Sequence, residues 1–151
     1  MFKKVLIANR GEIAVRIIRA CRELGLPTVA IYSQADAEAL HVSLATEAYC
    51  IGPKETEKSY LSIPAIISTA MMCGADAIHP GYGFMSERAD FAKICNENGI
   101  KFIGPSPESM QALGDKATAR KTMIDNNVPV TPGTGIVETV EEIKEFADKV
   151  G

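Results

Sequence analysis

Short apolar runs rich in β-branched residues alternate with longer amphipathic stretches over the first two-thirds of the chain. Val5–Ala8, Thr28–Tyr32, Ala48–Ile51, Ala77–His79 and Lys101–Ile103 read as strands. Between them, Glu12–Leu24, Leu61–Cys73 and Glu87–Asn98 carry helical spacing, and each closes near a glycine, Gly25, Gly74 or Gly99. Repeated strand–helix–strand order predicts an α/β fold, a doubly wound parallel sheet over residues 1 to about 104 with its ligand crevice at the carboxyl ends of the strands. In the first helix Ile13, Ile17, Ala20, Cys21 and Leu24 form the predicted buried stripe, and Glu12, Arg16, Arg19 and Glu23 fall on the other side. That charged face reads either as solvated, with Glu12–Arg16 and Arg19–Glu23 pairs, or as a self-complementary contact across a two-fold axis.

After Gly104-Pro105 the strand pattern stops. Two helices are predicted, Pro107–Leu113 and Asp115–Asn126, followed by an extended stretch at 128–133 and an acidic helix over Thr139–Val150. The last helix sets Val140, Ile143, Phe146 and Ala147 along one stripe, with no later strand for it to cover. The expectation is therefore a domain over residues 1–113 and the helical start of a second over 114–151, whose sheet would lie beyond Gly151.

Composition narrows the class. The 151 residues are 46% hydrophobic and 23% charged, ordinary for a globular chain and unlike disordered or collagen-like sequences. The net charge is −3, and the basic residues gather at the amino end, where residues 1–23 hold six Lys/Arg against two acids. Nucleic-acid coating is not expected from such a balance. The apolar run at Val5–Ala8 is too short for a secretory or membrane segment. Cys21, Cys50, Cys73 and Cys95 sit singly in apolar surroundings and read as core residues of a cytoplasmic protein. With His41 and His79 the only histidines and no Cys-x-x-Cys pair, metal-ligand spacing is absent.

Three segments carry candidate chemistry. The first strand-to-helix turn, Asn9-Arg10-Gly11-Glu12-Ile13-Ala14, keeps little of a dinucleotide fingerprint, and no acid follows the second strand until Asp36, so a nicotinamide cofactor is disfavoured. His79-Pro80-Gly81-Tyr82-Gly83-Phe84 leaves a strand before a helix with Ser86 as its expected N-cap. Glycines on both sides of an aromatic suit either a close ligand approach or a tight turn with Tyr82 and Phe84 packed as lids. Gly114-Asp115-Lys116 opens the helix of the second domain. Asp115 is a good N-cap, while Lys116 opposes the helix dipole unless an anion such as phosphate sits there too.

The runs Ile7–Ala14, Ala77–Phe84, Phe102–Pro105 and Gly114–Lys116, with lesser matches at Asp36, His41-Val42 and Lys58–Leu61, resemble in order the amino-terminal region of biotin carboxylases. Met85 and Arg88 depart mildly, since Leu and Asn are more usual there. The resemblance implies a Rossmann-like pre-ATP-grasp domain followed by the beginning of an ATP-grasp domain. It also implies an ATP-dependent carbon–nitrogen ligase that carboxylates N1 of carrier-bound biotin with bicarbonate through carboxyphosphate, in the first half-reaction of acetyl-CoA carboxylase. Pyruvate or propionyl-CoA carboxylase, another ATP-grasp ligase, or a non-catalytic nucleotide-binding or dimerisation module are the alternatives. Implied cofactors are ATP, Mg2+ or Mn2+, bicarbonate and biotin. Implied partners are a biotin carboxyl carrier protein, carboxyltransferase subunits and a second copy of the chain. Lys116 matches the ATP contact; His79, Gly81, Tyr82 and Gly83 match the biotin-side loop; Arg16, Arg19 and Glu23 match the dimer contact. The phosphate loop, metal ligands and base of the family have no match here, so no catalytic residue is expected within the chain.

Overall fold

The computed structural model describes residues 2–134 and 136–151. It divides into two units, Met1–Met110 and Gln111–Gly151. The first unit runs β1 (Val5–Ile7), α1 (Gly11–Glu23), β2 (Thr28–Ser33), α2 (Leu40–Leu44), β3 (Glu47–Gly52), α3 (Ile63–Cys73), β4 (Ala77–His79), α4 (Ala89–Glu97) and β5 (Lys101–Phe102). All strand pairs are parallel, in the order β3-β2-β1-β4-β5. The predicted doubly wound sheet is therefore present. The switch point lies at β1, where the chain, having built outward through β2 and β3, returns to add β4 on the other side.

Alternation along β1 explains the two layers. Val5 and Ile7 join Ala14, Ile17, Ile18 and Cys21 of α1 in one buried cluster. Leu6 and Ala8 join Ile66 and Ala70 of α3, Phe91 and Cys95 of α4 and Phe102 of β5 in the other. Phe91 meets Phe102 edge to face, with ring centroids 6.0 Å apart. Lys4 and Asp76 fasten the amino ends of β1 and β4. Asp76 accepts the N–H groups of Lys3 and Lys4 at 2.9–3.0 Å, and Lys4 Nζ reaches Glu47 at 2.6 Å. Ser62 caps α3 through the Ala65 N–H, and Gly74 ends it in the left-handed region at φ 69°.

Four local expectations need correction. The buried face of α1 is Ala14, Val15, Ile17, Ile18 and Cys21, and Leu24 is 72% exposed. The helix ends at Glu23, so Leu24 has no turn left to carry it onto the sheet. Cys50 lies on β3, an edge strand, and is exposed; Cys21, Cys73 and Cys95 are buried. Ser86 is not an N-cap, because residues 84–87 form turns and α4 starts after Arg88. The short α2 is an addition to the predicted elements. It sets His41 under β2, fully buried, with Nε2 3.3 Å from the Ile31 carbonyl.

The second unit begins within α5 (Pro107–Gly114) and continues with α6 (Lys116–Asp125) and α7 (Val140–Val150). Both later helices have side-chain caps, Asp115 accepting the Thr118 N–H at 2.7 Å and Thr139 the Glu142 N–H at 3.3 Å. No residue after Met110 is buried among those described.

Candidate functional site at the switch point

Because β1 is flanked by β2 and β4, the loops leaving the carboxyl ends of β1 and β4 separate above the sheet and open a crevice. The two strands are in register, Ile7 beside His79, and the Ala8 N–H donates to the His79 carbonyl at 2.9 Å. Beyond that point the crevice, about 410 Å³, is lined by residues 9–13 on one side and Tyr82, Gly83 and Phe84 on the other.

Each wall is fixed differently. Asn9, almost fully buried, donates from Nδ2 to the carbonyls of Pro80 at 2.7 Å and Tyr82 at 2.8 Å, and its Oδ1 accepts the Arg10 N–H at 2.9 Å. Gly81 adopts φ +66°, and a Cβ there would lie 2.6 Å from Ile13 Cγ2 and 2.8 Å from Asn9 Nδ2. Only glycine fits this position without displacement. Phe84, at φ 45°, stacks on Tyr60 with centroids 5.4 Å apart. The Arg10 guanidinium lies 5.1 Å from the Tyr60 ring centre and 5.5 Å from that of Phe84.

Beneath this stack Asp36 accepts hydrogen bonds from the Tyr60 hydroxyl at 2.7 Å, Ser33 Oγ at 2.9 Å and Arg10 at 3.3 Å. Burial pushes the Asp36 carboxyl up, but these donors together outweigh it and hold the group below the usual range. Tyr60 is pushed up to about 12 by burial and then by the Asp36 carboxylate it serves. One oxygen of Asp36, Oδ2, thus gathers three donors, and through Tyr60 and its stack on Phe84 the crevice loop is held from below.

The sequence-predicted residues separate by role. Tyr82 is 68% exposed and, with Gly83, faces the crevice; Phe84 is the packed aromatic of the pair. Gly81 and His79 do not line the crevice. His79 Nδ1 accepts the Gly81 N–H at 3.0 Å, while its ring borders a hollow beside Arg16 and Cys21. Burial lowers the His79 pKa, which favours the neutral ring that can accept. On α1, Arg16, Arg19 and Glu23 are all exposed. Arg16 is 3.7 Å from Glu12, and Arg19 and Glu23 make no ion pair among the described residues. In the second unit Lys116 occupies the first position of α6 and lines a hollow of about 330 Å³ with Ala117, Arg120, Thr134 and Ile136. Sequence reasoning missed Asn9 and Arg10 as builders of the crevice, and Arg120 one turn beyond Lys116. For Arg120 the i, i+4 spacing was a usable signal; for Asn9 the partners are more than 70 positions away.

Among the described residues no three His, Cys, Asp or Glu side chains gather as a metal site, and no helix is long and apolar enough to cross a membrane.

Residues 1–110 match the family described as "Biotin carboxylase, N-terminal domain". Biotin carboxylase 1 of Bacillus subtilis is 57% identical over 152 residues, covering 100% of this chain and 34% of the relative. A crystal structure of biotin carboxylase in complex with β,γ-ATP from Campylobacter jejuni superimposes with TM-score 0.92 at 46% identity, covering 100% of this chain and 34% of that one. The biotin carboxylase domain dimer of Hydrogenobacter thermophilus 2-oxoglutarate carboxylase, solved with MgADP, ADP and bicarbonate, does so with TM-score 0.89 at 51% identity, covering 100% and 33%. The chain spans about a third of the length of these relatives. With its sheet, its switch-point loop and its matched residues in agreement, the chain belongs to the biotin carboxylase family, whose amino-terminal domain it carries.

Proposed function

We propose that the chain serves as the amino-terminal part of an ATP-dependent biotin carboxylase. In that reaction a bicarbonate oxygen takes the γ-phosphoryl group of ATP, giving ADP and carboxyphosphate. Loss of phosphate then delivers CO2 to N1 of a carrier-bound biotin, which gives up its proton. The observation that carries this reading is the exposed Tyr82 and Gly83 at the switch-point crevice of a chain of this family.

Within that division of labour residues 1–113 form the pre-ATP-grasp domain and 114–151 begin the ATP-grasp domain. Tyr82 and Gly83 face biotin, and His79 and Gly81 shape the loop behind them. Lys116 meets an ATP phosphate, where an anion would offset its unfavourable place at a helix start. Mg2+ or Mn2+ would offset the charge of the phosphates; among the described residues no group of His, Cys, Asp or Glu gathers to hold it. Arg16, Arg19 and Glu23 contact a second copy, supported by the exposed Leu24 beside them and by the apolar hollow that Phe2, Ile17, Ala20 and Ile103 form along α1. The Hydrogenobacter domain, 51% identical, was solved as a dimer. The carrier and carboxyltransferase would be those of a cytoplasmic acetyl-CoA carboxylase. A second reading, in which the acceptor is a 2-oxo acid, is favoured by the 51% and 54% identity to the domains of 2-oxoglutarate and pyruvate carboxylases.

The test is bicarbonate-dependent ATP cleavage with transfer of labelled bicarbonate to biotin. An enzyme of the relatives' length carrying these residues should require bicarbonate and respond to biotin, and the 151-residue chain alone should show no turnover. Absence of biotin carboxylation in the long enzyme rejects the function. Turnover by the chain alone rejects the division of labour.

A further inference from the structure

In the crevice loop the carbonyls of Pro80, Tyr82 and Gly83 are occupied, whereas the N–H groups from Tyr82 to Phe84 are free among the described residues. Asn9 donates to the Pro80 and Tyr82 carbonyls, and the Ser86 N–H donates to the Gly83 carbonyl at 2.9 Å. The N–H groups of Tyr82, Gly83 and Phe84 have no acceptor among the described residues. Asn9 is well suited to hold such a loop. Its backbone follows Ala8, whose N–H is bonded to His79 at the end of a fully paired strand, and the residue is 5% exposed with both N–H donors of its amide in use. Gly81 presses against it from the loop side, where even a methyl group would collide. A donor buried this completely, aimed at two carbonyls of a loop more than 70 residues away, fixes that loop to the sheet.

We propose that Asn9 is a positioning residue: its amide pins the carbonyl side of the 80–84 loop to the end of β1, and so presents Tyr82 and the free N–H groups of Tyr82, Gly83 and Phe84 to an acceptor-bearing ligand in the crevice. The ligand class rests on the function proposed above, in which the acceptor belongs to biotin. The pinning itself does not, because every contact in it is internal to the chain. Asn9 touches no reacting atom; it acts through the loop.

Two variants separate a donor role from a space-filling role. Asn9→Leu keeps the volume without charge or N–H donors, whereas Asn9→Ala removes the volume as well. If Asn9 works as a donor, Asn9→Leu is as damaging as Asn9→Ala, because both leave the two carbonyls without a partner; if it only fills space, Asn9→Leu behaves as wild type. In the 151-residue chain, amide exchange of Gly81 and Ser86, both hydrogen-bonded within the loop, should accelerate about tenfold in either variant, with β1 and β2 amides as the internal control. In the long enzyme the KM for free biotin should rise about tenfold while the KM for ATP is unchanged. Wild-type behaviour of Asn9→Leu, unchanged loop exchange in both variants, or faster exchange with an unchanged biotin KM each overturns the proposal. Should Asn9→Leu lose its β1 and β2 protection altogether, Asn9→Ala decides by the same two readouts. A wild-type long enzyme that ignores biotin rejects the proposed function, and the exchange experiment still judges the pinning.

Discussion

Helices α1 and α7 are equally amphipathic, yet α1 buries five residues and α7 buries none. Their termini do not explain it. The N-cap of α7, Thr139, makes a side-chain hydrogen bond, whereas that of α1, Arg10, makes none. What α1 has is a sheet whose β1 face offers Val5 and Ile7 to it. The apolar stripe of α7, Val140, Ile143 and Val150, stays exposed. An amphipathic helix thus requests a partner without supplying one, and short helices of 10–11 residues hold little stability by themselves.

The largest effect that could break this contrast is a pair of truncations. Phe91→Ala opens a cavity where a fully buried ring packs on Phe102, and should cost about 3–5 kcal/mol in urea unfolding. Ile143→Ala on α7 should cost less than about 0.5 kcal/mol. Equal costs would mean that α7 is packed in solution and that the two regions are one cooperative unit.

The same contrast decides what could be read from sequence. The five strands and the helices α1, α3 and α4 were legible because sheet burial imposes a period that the sequence must carry. α6 was legible from a local cap, Asp115, whose side chain accepts the N–H three residues on, and α7 from an apolar stripe that it carries although no strand covers it; the Thr139 cap of α7 is seen only in the structure. The short α2 carried neither signal, since its five residues are too few for a period and Ala39 cannot cap. The rotation of the α1 face and the exposure of Cys50 depend on where α1 meets the sheet and on β3 being an edge, facts that no local window contains. The crevice divides likewise. Its loop was visible from the glycines around Tyr82, but Asn9, Arg10, Asp36 and Tyr60 support it from 24 to 73 positions away.

A medium effect comes from alkaline pH, which should strike the first unit alone. Tyr60 is raised from 10.0 to about 12 by burial and by Asp36, and Cys95 from 9.0 to about 12 by burial. In both, the folded state holds the proton more tightly than the unfolded chain does. Their contribution is therefore complete below the unfolded values and is lost as pH rises through about 12. For Tyr60 this amounts to about 2–3 kcal/mol at most. Unfolding of the sheet followed against pH should fall steeply over that window, and Tyr60→Phe, which keeps the stack on Phe84, should flatten part of the fall while lowering neutral stability through the lost bonds to Asp36 and the Ser33 N–H. A fall of the same size in Tyr60→Phe would remove Tyr60 as its source.

The smallest effect on the fold should come from Lys116, and its smallness is the point. Lys116 is exposed at the first position of α6, where a cation opposes the helix dipole, and Asp115 rather than Lys116 supplies the cap. Lys116→Ala should leave stability unchanged or raise it by a few tenths of a kcal/mol. In the long enzyme the same change should weaken ATP binding or turnover by roughly ten- to a hundredfold, the range for losing one charge-assisted contact to a phosphate. Asp115→Ala does the reverse within the chain: it strips the Thr118 N–H of its acceptor and should loosen the first turn of α6 in amide exchange. A residue that costs the helix and serves the ligand is what separates a binding position from a structural one. If Lys116→Ala leaves ATP kinetics unchanged in the long enzyme, Lys116 is a surface lysine and the second unit holds no ATP contact at that helix start.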